Sequence, residues 1–199
     1  MNNNINVSVC PVEKSGMLDN KFRKLFQNPH KILKPYIKEG MVVLDLGCGP
    51  GFFSMEIAKL LNKSGTVICA DLQDGMLDVV RQKIKGSDNE NLFQLHKCDS
   101  DAINVSLSVD FVLAFYMIHE VPDQVRLFEE LKSILTPQGQ ILIIEPKFHV
   151  SKKSFNTMIG NLNAIGFEVI ENPKVFFSRS ILVTNKKSTT YNTTQSTSA

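Results

Sequence analysis

The stretch Val42-Val43-Leu44-Asp45-Leu46-Gly47-Cys48-Gly49-Pro50-Gly51 carries the decisive pattern of this chain. Its first half is a short apolar run of the kind that a parallel sheet buries on both faces. Its second half places three glycines at alternate positions, and helical periodicity begins at once, from Phe52 to Leu61. Strand, glycine turn and helix in that order make a sharp corner whose backbone a ligand can approach closely. The spacing is D-x-G-x-G-x-G. A dinucleotide fold uses G-x-G-x-x-G, with the helix N-terminus receiving a pyrophosphate. An acid beside the loop, Asp45, suits a cationic or amine-bearing ligand and repels a diphosphate.

Downstream, the alternation of strand and helix continues. Thr66–Ala70 reads as a second strand, and Asp74–Ile84 as a helix with Met76, Leu77, Val80 and Ile84 on one face. Leu92–Leu95 is a weaker third strand and Phe111–Phe115 the centre of a fourth. A helix starts at Pro122-Asp123 and runs to about Leu135. Pro137-Gln138-Gly139 turns the chain into a fifth strand, Gln140–Glu145, and Ser151–Ile165 is a further helix ended by Gly166. Then the rhythm breaks. Phe167–Ile170 and Val175–Thr184 are strand-like runs joined by Glu171-Asn172-Pro173-Lys174, too short a link for a crossover helix, so the two strands are expected to be antiparallel neighbours. The whole reads as a Rossmann-like, doubly wound α/β domain with a mostly parallel sheet and helices on both faces.

Upstream, Phe22, Leu25 and Phe26 recur at helical spacing between Asp19 and Tyr36, with Pro29 and Pro35 dividing the stretch into two helical pieces. Residues 1–40 are therefore expected to form a helical cap on a main domain over 41–184. Residues 185–199 are rich in Ser, Thr and Asn and are expected to be a disordered tail. Of the 199 residues 43% are apolar and 21% charged, the balance of one soluble globular domain. A net charge of +2 with no dense Lys/Arg block leaves no electrostatic footprint for nucleic acid or a membrane surface. The apolar runs fall short of the ~20 residues needed to cross a bilayer, and Met1-Asn2-Asn3-Asn4 lacks the features of a signal peptide, so a cytoplasmic location is expected. Cys10, Cys48, Cys69 and Cys98 form no C-x-x-C pair, and the histidines are equally scattered, which argues against a disulfide framework and against a structural zinc site.

Two further acids fall at strand ends. Asp71 closes the second strand about twenty residues after the glycine loop, where a carboxylate accepts hydrogen bonds from ribose hydroxyls; Asp99, in Cys98-Asp99-Ser100, follows the third. Taken singly, either acid reads equally as a solvated loop residue or a helix cap. Together with the loop, they resemble the class I S-adenosylmethionine-dependent methyltransferases over residues 41–145. Val43–Gly51 is similar to that family's first motif, and the terminal strand pair to its seven-stranded sheet with the last strand inserted antiparallel. Leu135-Thr136-Pro137-Gln138-Gly139-Gln140 resembles the turn before its fifth strand, with Gln138 where glycine is commoner. The resemblance implies S-adenosylmethionine as cofactor and S-adenosylhomocysteine as product. It implies a site built from Asp45, Gly47, Cys48, Gly49 and Gly51 at the loop, and from Asp71, Leu72 and Met76 around the ribose and beneath the adenine. Asp99 and Ser100 would then meet the adenine amino group, and Phe115 would close the fourth strand's side.

Ala114-Phe115-Tyr116-Met117-Ile118-His119-Glu120-Val121 leaves the fourth strand where the family lines the space between sulfonium and acceptor. His119 reads either as a general base or as a histidine packed on the following helix. Tyr116 is a second candidate, either in the pocket wall or in the core. His149, after the fifth strand, is a candidate substrate contact or a plain loop residue. Phe22, Phe26 and Tyr36 either close the cap over the site or staple it down. There is no N-P-P-Y-like motif and no Pro-Cys nucleophile after the fourth strand, which points away from nucleic-acid bases and toward a small-molecule acceptor, near the quinone-biosynthesis enzymes. A nucleic-acid or protein methyltransferase, and a protein that binds the cofactor without turnover, remain open alternatives at this stage.

Overall fold

The computed structural model describes residues 26–186. Helix α1 spans Pro29–Leu33, capped by Asn28, whose side chain accepts the Lys31 N–H. Pro29 opens this helix, because at the first helical turn its missing N–H goes unneeded. There follow β1 (Val42–Leu46), α2 (Ser54–Leu60), β2 (Thr66–Asp71), α3 (Asp74–Ile84), β3 (Phe93–Lys97) and β4 (Val109–Phe115). The second half holds α4 (Gln124–Ile134), β5 (Leu135–Pro146), α5 (Lys152–Ile165), β6 (Phe167–Glu171) and β7 (Ser178–Asn185).

The strands form one seven-stranded sheet in the order β3-β2-β1-β4-β5-β7-β6. Strands β1 to β5 pair in parallel, and β7 runs antiparallel to both β5 and β6. This is the Rossmann-like sheet expected from the sequence. Successive strand residues face opposite layers. Val43, Phe111, Leu113 and Leu142 pack with α1, α2 and α3, while Leu44, Val112, Ala114 and Ile143 pack with α4 and α5. Burial on both faces is why these strands read as unbroken apolar runs. Strand order reverses between β1 and β4, the topological switch point at whose carboxyl edge open sheets bind ligands.

Most boundaries agree with the sequence reading to within two residues, and the departures at β5 and β7 have local reasons. The turn at Pro137–Gly139 does not precede β5 but interrupts it: Val109 pairs with Leu135 and Phe111 with Gln140, leaving Thr136–Gly139 opposite Asp110 alone. Asp110 holds the irregularity in place, accepting the Thr136 hydroxyl at 3.2 Å and the Val42 N–H at 2.9 Å. One acid therefore ties together the starts of β1, β4 and β5. Strand β7 begins at Ser178 and not Val175, so the link from β6 is longer than its sequence suggested but still carries no helix. At its far end β7 takes in Asn185, paired with Phe167, and the Lys186 N–H donates to the Gly166 carbonyl at 2.9 Å. The remainder of the expected tail lies outside the described residues, as do Cys10, Phe22 and Leu25.

Candidate active site

The carboxyl ends of β1, β2 and β4 open onto a cavity of about 580 Å³, a size typical of cofactor sites. Its floor is the glycine loop. Gly47, Gly49 and Gly51 all adopt positive φ, at 67°, 52° and 80°. At Gly47 an added Cβ would lie 3.0 Å from the Met117 side chain, and at Gly51 3.1 Å from Val80, so a side chain at either is strained by the backbone conformation and crowds its neighbour. A Cβ added at Gly49 would meet nothing within 4 Å, so the loop leaves open space there. The loop is held to β2 by the Gly47 and Cys48 N–H groups, both donating to the Ala70 carbonyl, and to α3 by Lys83, which donates to the Pro50 carbonyl at 2.6 Å.

The two strand-end acids brace this loop from either side. Asp45 is buried and accepts the Ser54 hydroxyl at 2.5 Å, fixing the first turn of α2. Asp71 accepts the Gln73 and Gly49 N–H groups, each at 2.8 Å, one on each oxygen. Burial pushes the Asp71 carboxyl above the usual carboxylate range, against the pull of those two N–H donors. A carboxylate so placed keeps lone pairs for ligand hydroxyls while its orientation is fixed. Cys48 and Cys98 also line the cavity as neutral thiols: Cys98 is pushed up to about 12 by burial, and Cys48 is raised well above its ordinary value by its contact with Cys69 and by burial. Neither is poised as a thiolate nucleophile.

The structure brings most of the sequence candidates together. Leu72, Met76, Asp99 and Ser100 line the β2–β3 side of the cavity, with Phe115 and Tyr116 on the β4 side. Asp99 is exposed and accepts the Asn104 side-chain amide at 2.6 Å. Gly51 lies at the foot of the loop instead of on the cavity wall. His119 and His149 are also set back from the wall. His119 points through Nδ1 at Glu145, 2.5 Å away, and its ring stacks on that of His149 with centroids 5.6 Å apart. Glu145 is 1% exposed, and its second oxygen accepts the Ile118 N–H. The hydrogen bond to Glu145 raises His119 above the ordinary imidazole value, against its own burial.

Tyr116 has φ of 58°, in the left-handed region that a bulky residue occupies only when its surroundings hold it there. They do so at both ends. Its N–H donates to the Ile144 carbonyl at 2.8 Å, and its hydroxyl accepts Gln27 at 2.7 Å while donating to Ser178 at 2.6 Å. Ser178 in turn donates to the Phe176 carbonyl. Phe26 stacks on Phe176, and Tyr36 stacks on Phe111 and donates to Glu171; neither reaches the cavity wall.

Sequence reasoning missed Glu120, which lines the cavity where its neighbour His119 does not, because the short 3₁₀ turn Ile118–Glu120 rotates the pair. It also missed Ser178, Gln27 and Glu145. No local pattern announces partners that lie 62, 89 and 26 residues from the groups they bind. Among the described residues no group of His, Cys, Asp and Glu side chains has the arrangement of a metal site, and no helix is long and apolar enough to cross a membrane.

A bare glycine loop flanked by two strand-end carboxylates, at the switch point of a sheet with an inserted antiparallel strand, defines the class I S-adenosylmethionine-dependent methyltransferases. A family model described as a methyltransferase domain matches residues 37–192, and the chain belongs to that family. It is 34% identical over 127 residues to the demethylmenaquinone methyltransferase of Lactobacillus johnsonii, covering 63% of this chain and 50% of that protein. The demethylmenaquinone methyltransferase of Bacillus subtilis is 28% identical over 109 residues, covering 55% of this chain and 47% of its own. The chain thus spans about half the length of these curated relatives. In three dimensions it is similar to a SAM-dependent methyltransferase from Aquifex aeolicus, with a TM-score of 0.78 and 25% identity over 88% of this chain and 98% of that one.

Proposed function

We propose that the protein transfers a methyl group from S-adenosylmethionine to a small-molecule acceptor of the hydroxylated aromatic class, of which a quinol is the leading example. The observation that carries the cofactor assignment is the bare, left-handed glycine loop between Asp45 and Asp71, opening on a cavity of about 580 Å³. The donor set fits that group. The open space at the glycine loop and the Asp45 carboxylate suit an amino-acid end, Asp71 the ribose, and Asp99 with Ser100 the adenine edge, with Leu72 and Met76 providing apolar surface for the base. When bound, S-adenosylmethionine supplies an electrophilic methyl that a nucleophile takes by in-line displacement at carbon. The chain's own part is then to align the acceptor and exclude water.

For the acceptor, the reading rests on the β4 side. Phe115 and Tyr116 stack with ring centroids 4.2 Å apart and offer an aromatic wall. The Tyr116 hydroxyl is committed to Gln27 and Ser178, so the residue serves by holding its ring in place. We assign His119, set back from the cavity wall, the role of taking up a released proton by relay, with Glu145 setting its tautomer and His149 stacked beside it. The names of the two curated relatives support a quinol-like ring. The wall's excess of carboxylates disfavours a polyanionic acceptor such as nucleic acid.

The test is transfer of label from methyl-labelled S-adenosylmethionine to reduced short-chain demethylmenaquinone, to simple catechols and phenols, and to RNA. Labelling of the ring compounds alone supports the proposal. Labelling of RNA alone, or of none of them while the cofactor binds, overturns it.

A further inference from the structure

Among the described residues seven carboxylates line the cavity, against a single guanidinium, that of Arg126, and no lysine or histidine. Six of the seven already receive a donor from the protein. Asp45 and Asp71 do so as described, and Asp99 is bound by Asn104. Asp101 pairs with Arg126 at 3.0 Å, Asp123 caps α4 through the Arg126 N–H, and Glu130 accepts the N–H groups of Ile103 and Asn104. Glu120 is the exception. Half-buried on the cavity wall, it accepts no hydrogen bond from any described residue, and the one guanidinium on the wall is held by Asp101. Its surroundings compensate only in part: burial pushes its carboxyl upward, His119 pulls it back, and Glu145 and Asp71 push it up again. A desolvated carboxylate without a donor is a cost that a cationic ligand offsets.

On the reading of this cavity as an S-adenosylmethionine site, the ligand keeps its adenine, ribose and amino-acid end through the reaction, and only its sulfur changes charge. The glycine loop, Asp45 and Asp71 cannot tell the two forms apart, because they serve the parts that stay the same. Glu120 lies elsewhere, just past Met117, whose side chain packs against Gly47 where β4 leaves the sheet. We propose that Glu120 is a specificity-determining residue whose carboxylate favours the sulfonium of S-adenosylmethionine over the neutral thioether of S-adenosylhomocysteine. Its charge holds the loaded cofactor and loses its counterpart when the methyl leaves, so the spent product is released more readily.

The test is calorimetric titration of wild type and Glu120→Gln with three ligands: S-adenosylmethionine, S-adenosylhomocysteine, and sinefungin, which carries a protonated amine in place of the methylated sulfur. Glu120→Gln is nearly isosteric and breaks no hydrogen bond, so folding is expected to be retained. It should weaken both cationic ligands by about tenfold, the order expected for a unit charge a few ångströms away in a half-buried site, and leave the thioether within about twofold. Glu120→Ala should do the same, and Asp71→Asn should weaken all three alike. Equal weakening of all three ligands by Glu120→Gln, or no weakening of any, overturns the proposal while leaving the cofactor assignment intact. Failure of the wild type to bind any of the three removes the cofactor assignment itself, and the proposal with it.

Discussion

The two ends of the cleft are built in different ways. At the cofactor end, Asp45, Gly47, Gly49, Gly51 and Ser54 fall within one strand, one loop and the first turn of one helix, and the Asp45–Ser54 hydrogen bond closes over a separation of 9 residues. Asp71 joins them from the neighbouring strand in a register fixed by β1 and β2. At the end proposed for the acceptor, Tyr116, Ser178, Gln27, His119 and Glu145 come from segments scattered along the chain and meet only once β4, β5 and β7 are paired. The first end is a local motif that the backbone enforces. The second is a product of tertiary structure, free to vary with the substrate on a constant frame.

The largest expected effect breaks the local end. Gly47→Val forces a β-branched residue to a φ of 67° with its Cβ 3.0 Å from Met117. Cofactor affinity should fall by about a hundredfold or more, from strain and obstruction together, as read by calorimetry on protein whose circular dichroism is unchanged. Retained affinity would mean that the loop is no cradle. Next comes Asp71→Ala, which removes a charged acceptor. It should weaken S-adenosylhomocysteine by about 1.5–3 kcal/mol, and a smaller loss would move the ribose contact elsewhere.

These two positions were legible in sequence because their chemistry is periodic and close. A buried strand, alternate glycines and a strand-end acid need no knowledge of the rest of the fold. The parallel core was legible for the same reason, since burial on both faces writes an apolar run. What stayed hidden depends on partners that no spacing reveals. The interruption of β5 is held by Asp110, an acid within a strand 26 residues from Thr136. Which of His119 and Glu120 faces the cavity is decided by one 3₁₀ turn, and the start of β7 depends on where Tyr116 and Lys147 tie down the link before it.

The distributed end yields smaller and more separable effects. Tyr116→Phe removes a hydroxyl that bridges Gln27 and Ser178. It should cost about 1 kcal/mol of stability in urea unfolding while leaving cofactor affinity within about twofold. Loss of both together would join the two ends that the structure keeps apart. The smallest effect is pH-dependent. His119 is raised above its ordinary value of 6.5 by Glu145, so its stabilising contribution is complete below that value and is lost as pH rises through the higher folded one. Between about pH 6 and about pH 8 the unfolding midpoint should therefore drop by a few degrees at most, and His119→Asn should flatten that slope. An unchanged slope would remove the His119–Glu145 pair as its source.

The most direct test of the central claim, that the glycine loop and its two acids hold S-adenosylmethionine, is calorimetric titration of the purified wild-type protein with S-adenosylhomocysteine, with NAD as the control. One-to-one binding of S-adenosylhomocysteine at micromolar concentrations, with no heat from NAD, is the expected result. No binding of S-adenosylhomocysteine, or equal binding of the dinucleotide, would contradict it.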